Sequence, residues 1–119
     1  LFVVYDSAKP FDQPRDSACK QSAAEQTSLM MTAGKQKFTL RRIEFLGLTH
    51  TSDQLVRDRM TRIVNEGDLF SRKKLVKGLQ NMSKLTRAIY PVRMRDVIFS
   101  LNKPEQVVDM TICFKERVL

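Results

Sequence analysis

Apolar and polar residues alternate from Phe38 to Gly47, placing Ile43 and Phe45 on one face and Leu40, Arg42 and Glu44 on the other. A period of two predicts a strand with one buried face. Gly47 ends it at a sharp turn, and Thr49-His50-Thr51-Ser52 then supplies helix-start chemistry. From Ser52 to Ile63 the period changes. Leu55, Val56, Met60 and Ile63 fall on one stripe of a helix, Thr51 and Gln54 have capping-box spacing, and Asp53 puts a negative charge in the first turn. Val64 to Asp68 reads as a turn with Gly67 at positive φ, and Ser71 caps a second helix carrying Leu75, Leu79, Met82 and Leu85 on one side. Tyr90-Pro91 closes the helical region. Two more alternating runs follow, Asp96 to Leu101 and Val107 to Lys115, joined by a hairpin loop from Asn102 to Gln106.

This order, β-α-α-β-β, predicts an α+β fold: a two-layer sandwich of a three-stranded mixed sheet with two antiparallel helices on one face. Its expected core is Ile43, Phe45, Leu55, Met60, Ile63, Leu75, Leu79, Met82, Val97, Phe99, Met110, Ile112 and Phe114. The chain before Lys37 is less regular. Leu1 to Tyr5 reads as a short strand, and Pro10 and Pro14 favour an extended connection. Composition permits a helix from Ser17 to Met31, yet the apolar positions keep no helical period before Leu29, and Gly34 breaks the run. Residues 1–37 are therefore an N-terminal extension, expected to fold back over the outer face of the sheet, and residues 38–117 the organised domain.

Length and charge narrow the functions open to such a fold. A chain of 119 residues makes one domain, which buries roughly two thirds of its unfolded surface. Its 21 Lys and Arg against 13 Asp and Glu give a net charge of +8, which favours nucleic acid, a phospholipid headgroup layer or an acidic protein as partner without choosing among them. No apolar run approaches the roughly 18 residues of a membrane span. The chain starts at Leu1 with no signal-peptide pattern, which reads as a processed product or an excised piece.

No catalytic, cofactor or metal set is expected. His50 is the single histidine and reads as a solvated turn residue, Cys19 and Cys113 are too far apart for a C-x-x-C redox pair, and Gly67 and Gly78 fit no phosphate-loop spacing. Glu44, Asp58 and Glu66 read as solvated or paired with arginine. The basic residues Arg72, Lys73, Lys74 and Lys77, continued by Lys84, Arg87, Arg93 and Arg95, form either a solvated face or a patch for anionic lipid headgroups or an acidic partner. A basic α/β nucleic-acid-binding module is the alternative, weakened because Phe45, Phe99 and Phe114 point inward and leave no aromatic pair for stacking.

Phe38-x-x-x-x-Ile43-x-Phe45-x-Gly47, the Glu66-Gly67-Asp68 turn before a Ser-led helix, the hairpin, and the closing Val108-Asp109-Met110-Thr111-Ile112-x-Phe114-Lys115-Glu116-Arg117 together resemble a POTRA domain, the polypeptide-transport-associated module. The resemblance spans Phe38 to Arg117. The sequence departs from the family between Leu85 and Arg93, where many members carry a glycine and this chain has none. What the resemblance implies is a non-catalytic module at the periplasm or the periplasmic face of the outer membrane. Such a module binds unfolded outer-membrane polypeptide or accessory envelope proteins by β-augmentation, and a structural spacer of an envelope protein is the bland counterpart. The edge implied is the hairpin's first strand, Asp96, Val97, Ile98, Phe99, Ser100 and Leu101, where unpaired backbone groups recognise extended chain. Proline at Ser100 is expected to weaken that pairing.

An envelope location would also permit a disulfide. Cys113 lies between Ile112 and Phe114 and so faces away from the helices, where Leu40 and Ile98 need cover and the extension carrying Cys19 is the material available. A Cys19–Cys113 bond is the expectation, and two free thiols the alternative.

Overall fold

The computed structural model describes residues 19–117. The strand expected over Leu1 to Tyr5 and the Pro10 and Pro14 connection lie outside the described residues. In chain order the elements are helix α1 (Ala23–Lys35), strand β1 (Thr39–Leu46), helix α2 (Asp53–Met60), helix α3 (Arg72–Met82), a 3-10 turn (Met94–Asp96), strand β2 (Val97–Asn102) and strand β3 (Val107–Cys113). Over the described residues the fold is α+β, with three helices and a three-stranded mixed sheet. Sheet order is β1-β3-β2, so β3 is central, parallel to β1 and antiparallel to β2.

Local chemistry accounts for the helix starts. Ser22, Ser52 and Ser71 are N-caps whose hydroxyls accept from the backbone N–H three residues on, each satisfying a donor that the first turn leaves without a partner. The α2 cap is thus Ser52 rather than Thr51. Helix α2 buries Val56 and Met60, and Leu55 is 47% exposed. Leu55 was expected in the core. It lies one position off the stripe that Val56 and Met60 define at a spacing of four, and so points away from the face that packs on the core. Helix α3 buries Leu75, Leu79 and Met82, together with Gly78. A Cβ at Gly78 would stand 3.2 Å from Val64 Cγ2, so the missing side chain is what lets α3 approach the end of α2.

Strand β1 departs from simple alternation. Its register against β3 shifts between Leu40 and Arg42, a bulge at Arg41. Two residues on β1 then occupy the space of one, so Leu40 and Ile43 both point into the core and Leu40 is 1% exposed. Leu40 therefore does not lie on the outer face, as plain alternation placed it. Arg41 is turned outward, where its guanidinium meets Asp109 at 2.9 Å and Glu105 at 3.0 Å. The core joins Phe38, Leu40 and Ile43 of the β1 segment to Val97 and Phe99 of β2 and to Val108, Met110, Ile112 and Phe114 of the β3 segment. Two edge-to-face aromatic pairs, Phe45 with Phe114 at 4.9 Å and Phe70 with Phe99 at 5.7 Å, fix its two ends. Phe45 and Ile63 are partly buried at its rim.

Helix α1 continues through Gly34 to Lys35, and its Met30 and Ala33 belong to the same core as the sheet. It packs against β2. Among the described residues before β1 it is Cys19 that meets the outer sheet face, through its bond to Cys113, and from Gln21 to Lys35 the extension lies alongside β2 and inside the core. The reason is its own sparse apolar set: Met30 and Ala33 are three residues apart, enough for a narrow stripe that completes a helical layer but not for covering a flat sheet.

Candidate functional site

Strand β2 is one edge of the sheet, and its outward backbone groups are the candidate binding row. Ile98 and Ser100 pair toward β3, opposite Thr111 and Asp109, so Val97, Phe99 and Leu101 present their N–H and C=O groups to the outside. These outward groups are not free. The Gln21 side chain donates from Nε2 to the Phe99 carbonyl at 3.1 Å and accepts at Oε1 from the Phe99 N–H at 3.0 Å, the two bonds that a neighbouring strand would make. Gln26, 8% exposed, donates to the Val97 carbonyl at 2.8 Å and also to the Met94 carbonyl. The Val97 N–H closes the 3-10 turn onto Met94. Leu101, the next outward position, has no such side-chain partner among the described residues.

Three expectations change accordingly. The Asp96 to Leu101 edge does not stand open, because two glutamines of the extension satisfy Val97 and Phe99. Asp96 precedes the strand, in the 3-10 turn, where its carboxylate accepts from the Arg93 N–H at 2.9 Å. The N–H of Ser100 faces β3, so a proline there would break the hairpin and not the outer edge.

The opposite edge, β1, is closed by the domain itself from Phe38 to Ile43. Leu40 exchanges bonds with Gly67 and Asp68, Phe70 donates to the Phe38 carbonyl, Glu66 accepts from the Ile43 N–H, and Arg57 donates to the Ile43 carbonyl. Only β2 is blocked by a segment that precedes the sheet domain in sequence. That segment is also tied down covalently, because Cys19 and Cys113 are bonded to each other across a separation of 94 residues. Cys113 sits on the outer face of β3, between the inward Ile112 and Phe114, so the chain passes from the outer face around the β2 edge to α1.

Beyond the start of β2 lies an open groove of about 1210 Å³, lined among others by Cys19, Tyr90, Arg93, Arg95, Lys115 and Arg117. The glycine-free connection after α3 builds one wall. Its Ile89 is buried and bridges to Glu116, Tyr90 N–H donates to the Lys115 carbonyl, and Arg117 N–H donates to the Ala88 carbonyl. The Arg117 guanidinium lies 4.3 Å over the Tyr90 ring, and Lys115 approaches the same ring at 5.7 Å. Glu116 turns away from these cations and accepts from the backbone N–H groups of Thr49, His50 and Thr51 and from the Thr49 hydroxyl. Desolvation opposes its ionisation, yet the hydrogen bonds from Thr49, His50 and Thr51 prevail and hold its carboxyl at about 2.

The expected basic patch divides in two. Arg93 and Arg95 line the groove, whereas Arg72, Lys73, Lys77, Lys84 and Arg87 are exposed on α3 and the connection after it and are not part of the groove lining. Lys115 and Arg117 belong to the site and were not anticipated, nor were Gln21 and Gln26. No local pattern marks them, since their partners lie far away in the chain, from Tyr90 for Lys115 to Phe99 for Gln21, 78 residues on. His50 is exposed in the turn after β1. Among the described residues no group of three His, Cys, Asp or Glu could hold a metal ion, and no helix is long and apolar enough to cross a membrane.

No family model matches the chain, and no curated protein matches it. Among solved structures it is similar to POTRA domains 1–3 of the periplasmic domain of Omp85 from Anabaena, with 16% sequence identity and a TM-score of 0.52 over 68% of this chain. The match takes in 34% of that structure, so this chain spans about a third of its length. At that identity the likeness establishes the fold, which is POTRA-like.

Proposed function

We propose that this chain is a non-catalytic cell-envelope module that binds extended polypeptide, such as unfolded outer-membrane protein or an accessory protein, by strand addition at β2. The observation that carries this reading is the Gln21 amide on Phe99: a backbone-like donor and acceptor pair occupies the place of a strand with a single side chain. An incoming strand can offer two bonds at each of Phe99 and Leu101 and one at the Val97 carbonyl, where the glutamines supply two at Phe99, one at Val97 and none at Leu101. Each hydrogen bond adds a net of about 0.5–1.5 kcal/mol, so exchange of the glutamines for a strand is favourable once the peptide is at hand. Two further observations support an envelope setting. The Cys19–Cys113 bond is of the kind that persists in an oxidising compartment such as the periplasm, and the POTRA-like fold is shared with a periplasmic domain.

Titrating the disulfide-bonded chain with a peptide from an outer-membrane β-strand, followed by amide chemical shifts, tests the reading. Shifts should concentrate at Val97, Phe99 and Leu101 and on the side-chain amides of Gln21 and Gln26, and Gln21→Ala should bind several-fold more tightly because the competitor is gone. Shifts confined to α2 and α3, or weaker binding by Gln21→Ala, would remove β2 as the site.

A further inference from the structure

The groove at the head of β2 holds four cations, Arg93, Arg95, Lys115 and Arg117, and none has an ion-pair partner among the described residues. Two carboxylates share the groove, but both are taken up by backbone donors, Asp96 by Arg93 N–H and Glu116 by the Thr49 to Thr51 turn. Elsewhere in the fold Arg41 and Arg57 each hold an aspartate at 2.9 Å, whereas Arg59, Arg62, Arg72 and Arg87 have no ion pair among the described residues, so what sets the groove apart is the gathering of its cations around one concavity.

We propose that this groove takes the acidic residues of the polypeptide that pairs with β2, an inference that rests on the strand-addition reading and names the class of chain it selects. Arg93, Arg95 and Asp96 immediately precede Val97, so a chain laid along the edge and continuing past Val97 enters the groove. At roughly 3.3 Å per residue, Asp or Glu placed about two to five positions from the residue opposite Phe99 reaches the guanidinium groups. Arginine forks bind carboxylates in two-point contact, and charge-assisted bonds of this kind give direction and register as well as affinity. Strand addition by itself is indifferent to sequence. The groove would make it prefer acidic segments and one end-to-end orientation.

The lining disfavours the other anionic partners. To a headgroup layer it offers Tyr90 as its one large exposed apolar side chain, too little for interfacial insertion. For a nucleic acid, the aromatic ring that could stack a base already carries Arg117 on it.

The test uses the disulfide-bonded chain and two labelled peptides of one β-strand sequence, the first with three Asp or Glu at one end and the second with the matching Asn or Gln. Anisotropy gives affinity and amide shifts give location. Tenfold or greater preference for the acidic peptide, with shifts at Arg93, Arg95 and Lys115, is the expected result. The preference should vanish in Arg93→Gln/Arg95→Gln, whose side chains are exposed, persist in Lys73→Gln/Lys77→Gln, and shrink as salt is raised. Equal affinity for both peptides with shifts along β2 would overturn the groove inference and leave strand addition standing. Acid-dependent shifts in the groove with none along β2 would instead overturn strand addition, and with it the orientation proposed here. Binding of phosphatidylglycerol vesicles through Arg93 and Arg95, with neither peptide bound, would overturn both in favour of a lipid surface.

Discussion

Glu116 shows how much one side chain can organise. Its carboxylate gathers the N–H groups of Thr49, His50 and Thr51, so the turn after β1 and the segment after β3 are held together at the head of the sheet. Its carboxyl sits at about 2 in the folded chain against an ordinary 4.5. Because the folded value is the lower one, the stabilisation is complete above 4.5 and is lost as pH falls toward 2. Thermal midpoints of the native chain and Glu116→Gln should therefore differ most above that range and converge as the acid value is approached. A gap that stays constant with pH would mean the charge is irrelevant. Gly47 works beside it for a steric reason: its φ is +98°, and a Cβ there would overlap the Phe114 carbonyl oxygen, so the strand can close against the chain after β3 only with glycine at this place.

At the scale of elements, α2 sets two apolar residues against each other. Met60 is 1% exposed and Leu55 is 47% exposed, although both belong to an apolar run of similar appearance. Met60→Ala should cost about 2–5 kcal/mol, the usual range for emptying a core site. Leu55→Ala should stay within about 0.5 kcal/mol, as surface changes do. Urea unfolding with an unchanged m-value measures both, and comparable losses at the two positions would mean that α2 is rotated from the arrangement described. Strand β1 carries a related lesson. The Arg41 bulge brings Phe38, Leu40 and Ile43 to one side, and it also aims Arg41 at Asp109 and Glu105, which ties β1 to the β2–β3 loop and β3 across the outer face.

Across the whole molecule, the Cys19–Cys113 bond and the two glutamines make α1 part of the sheet domain and not an appendage. A closed loop of 94 residues corresponds to a stabilisation of up to about 4–5 kcal/mol in the chain-entropy model. Reduction should lower the urea midpoint accordingly. It should also raise hydrogen exchange at the Phe99 amide more than at Met110 on the central strand, because Gln21 is then held only by its own two bonds. Equal change at both amides would show that the bond stabilises the fold globally and has no special hold on the edge.

The sequence by itself determined the element order from β1 to β3, the cap at Ser71, the inward faces of β2 and β3, and the turn at Gly67, because each depends on neighbours within a few positions. Periodicity and capping are local physics, and they are legible wherever the apolar stripe is regular. The motifs from Phe38 to Arg117 likewise sufficed for the POTRA-like fold. Only the tertiary structure decided which apolar residue of α2 is buried, how the bulge at Arg41 turns Leu40 inward, and that Gln21 and Gln26 occupy the β2 edge. The groove was equally out of reach. Its Tyr90, Arg93, Lys115 and Arg117 come from separate segments, and what makes them a site is that β3 delivers the last two beside the connection after α3. Long-range pairing of this kind leaves no periodic trace in the chain, since a glutamine that satisfies a strand edge and a glutamine in solvent are the same letter until the sheet has formed.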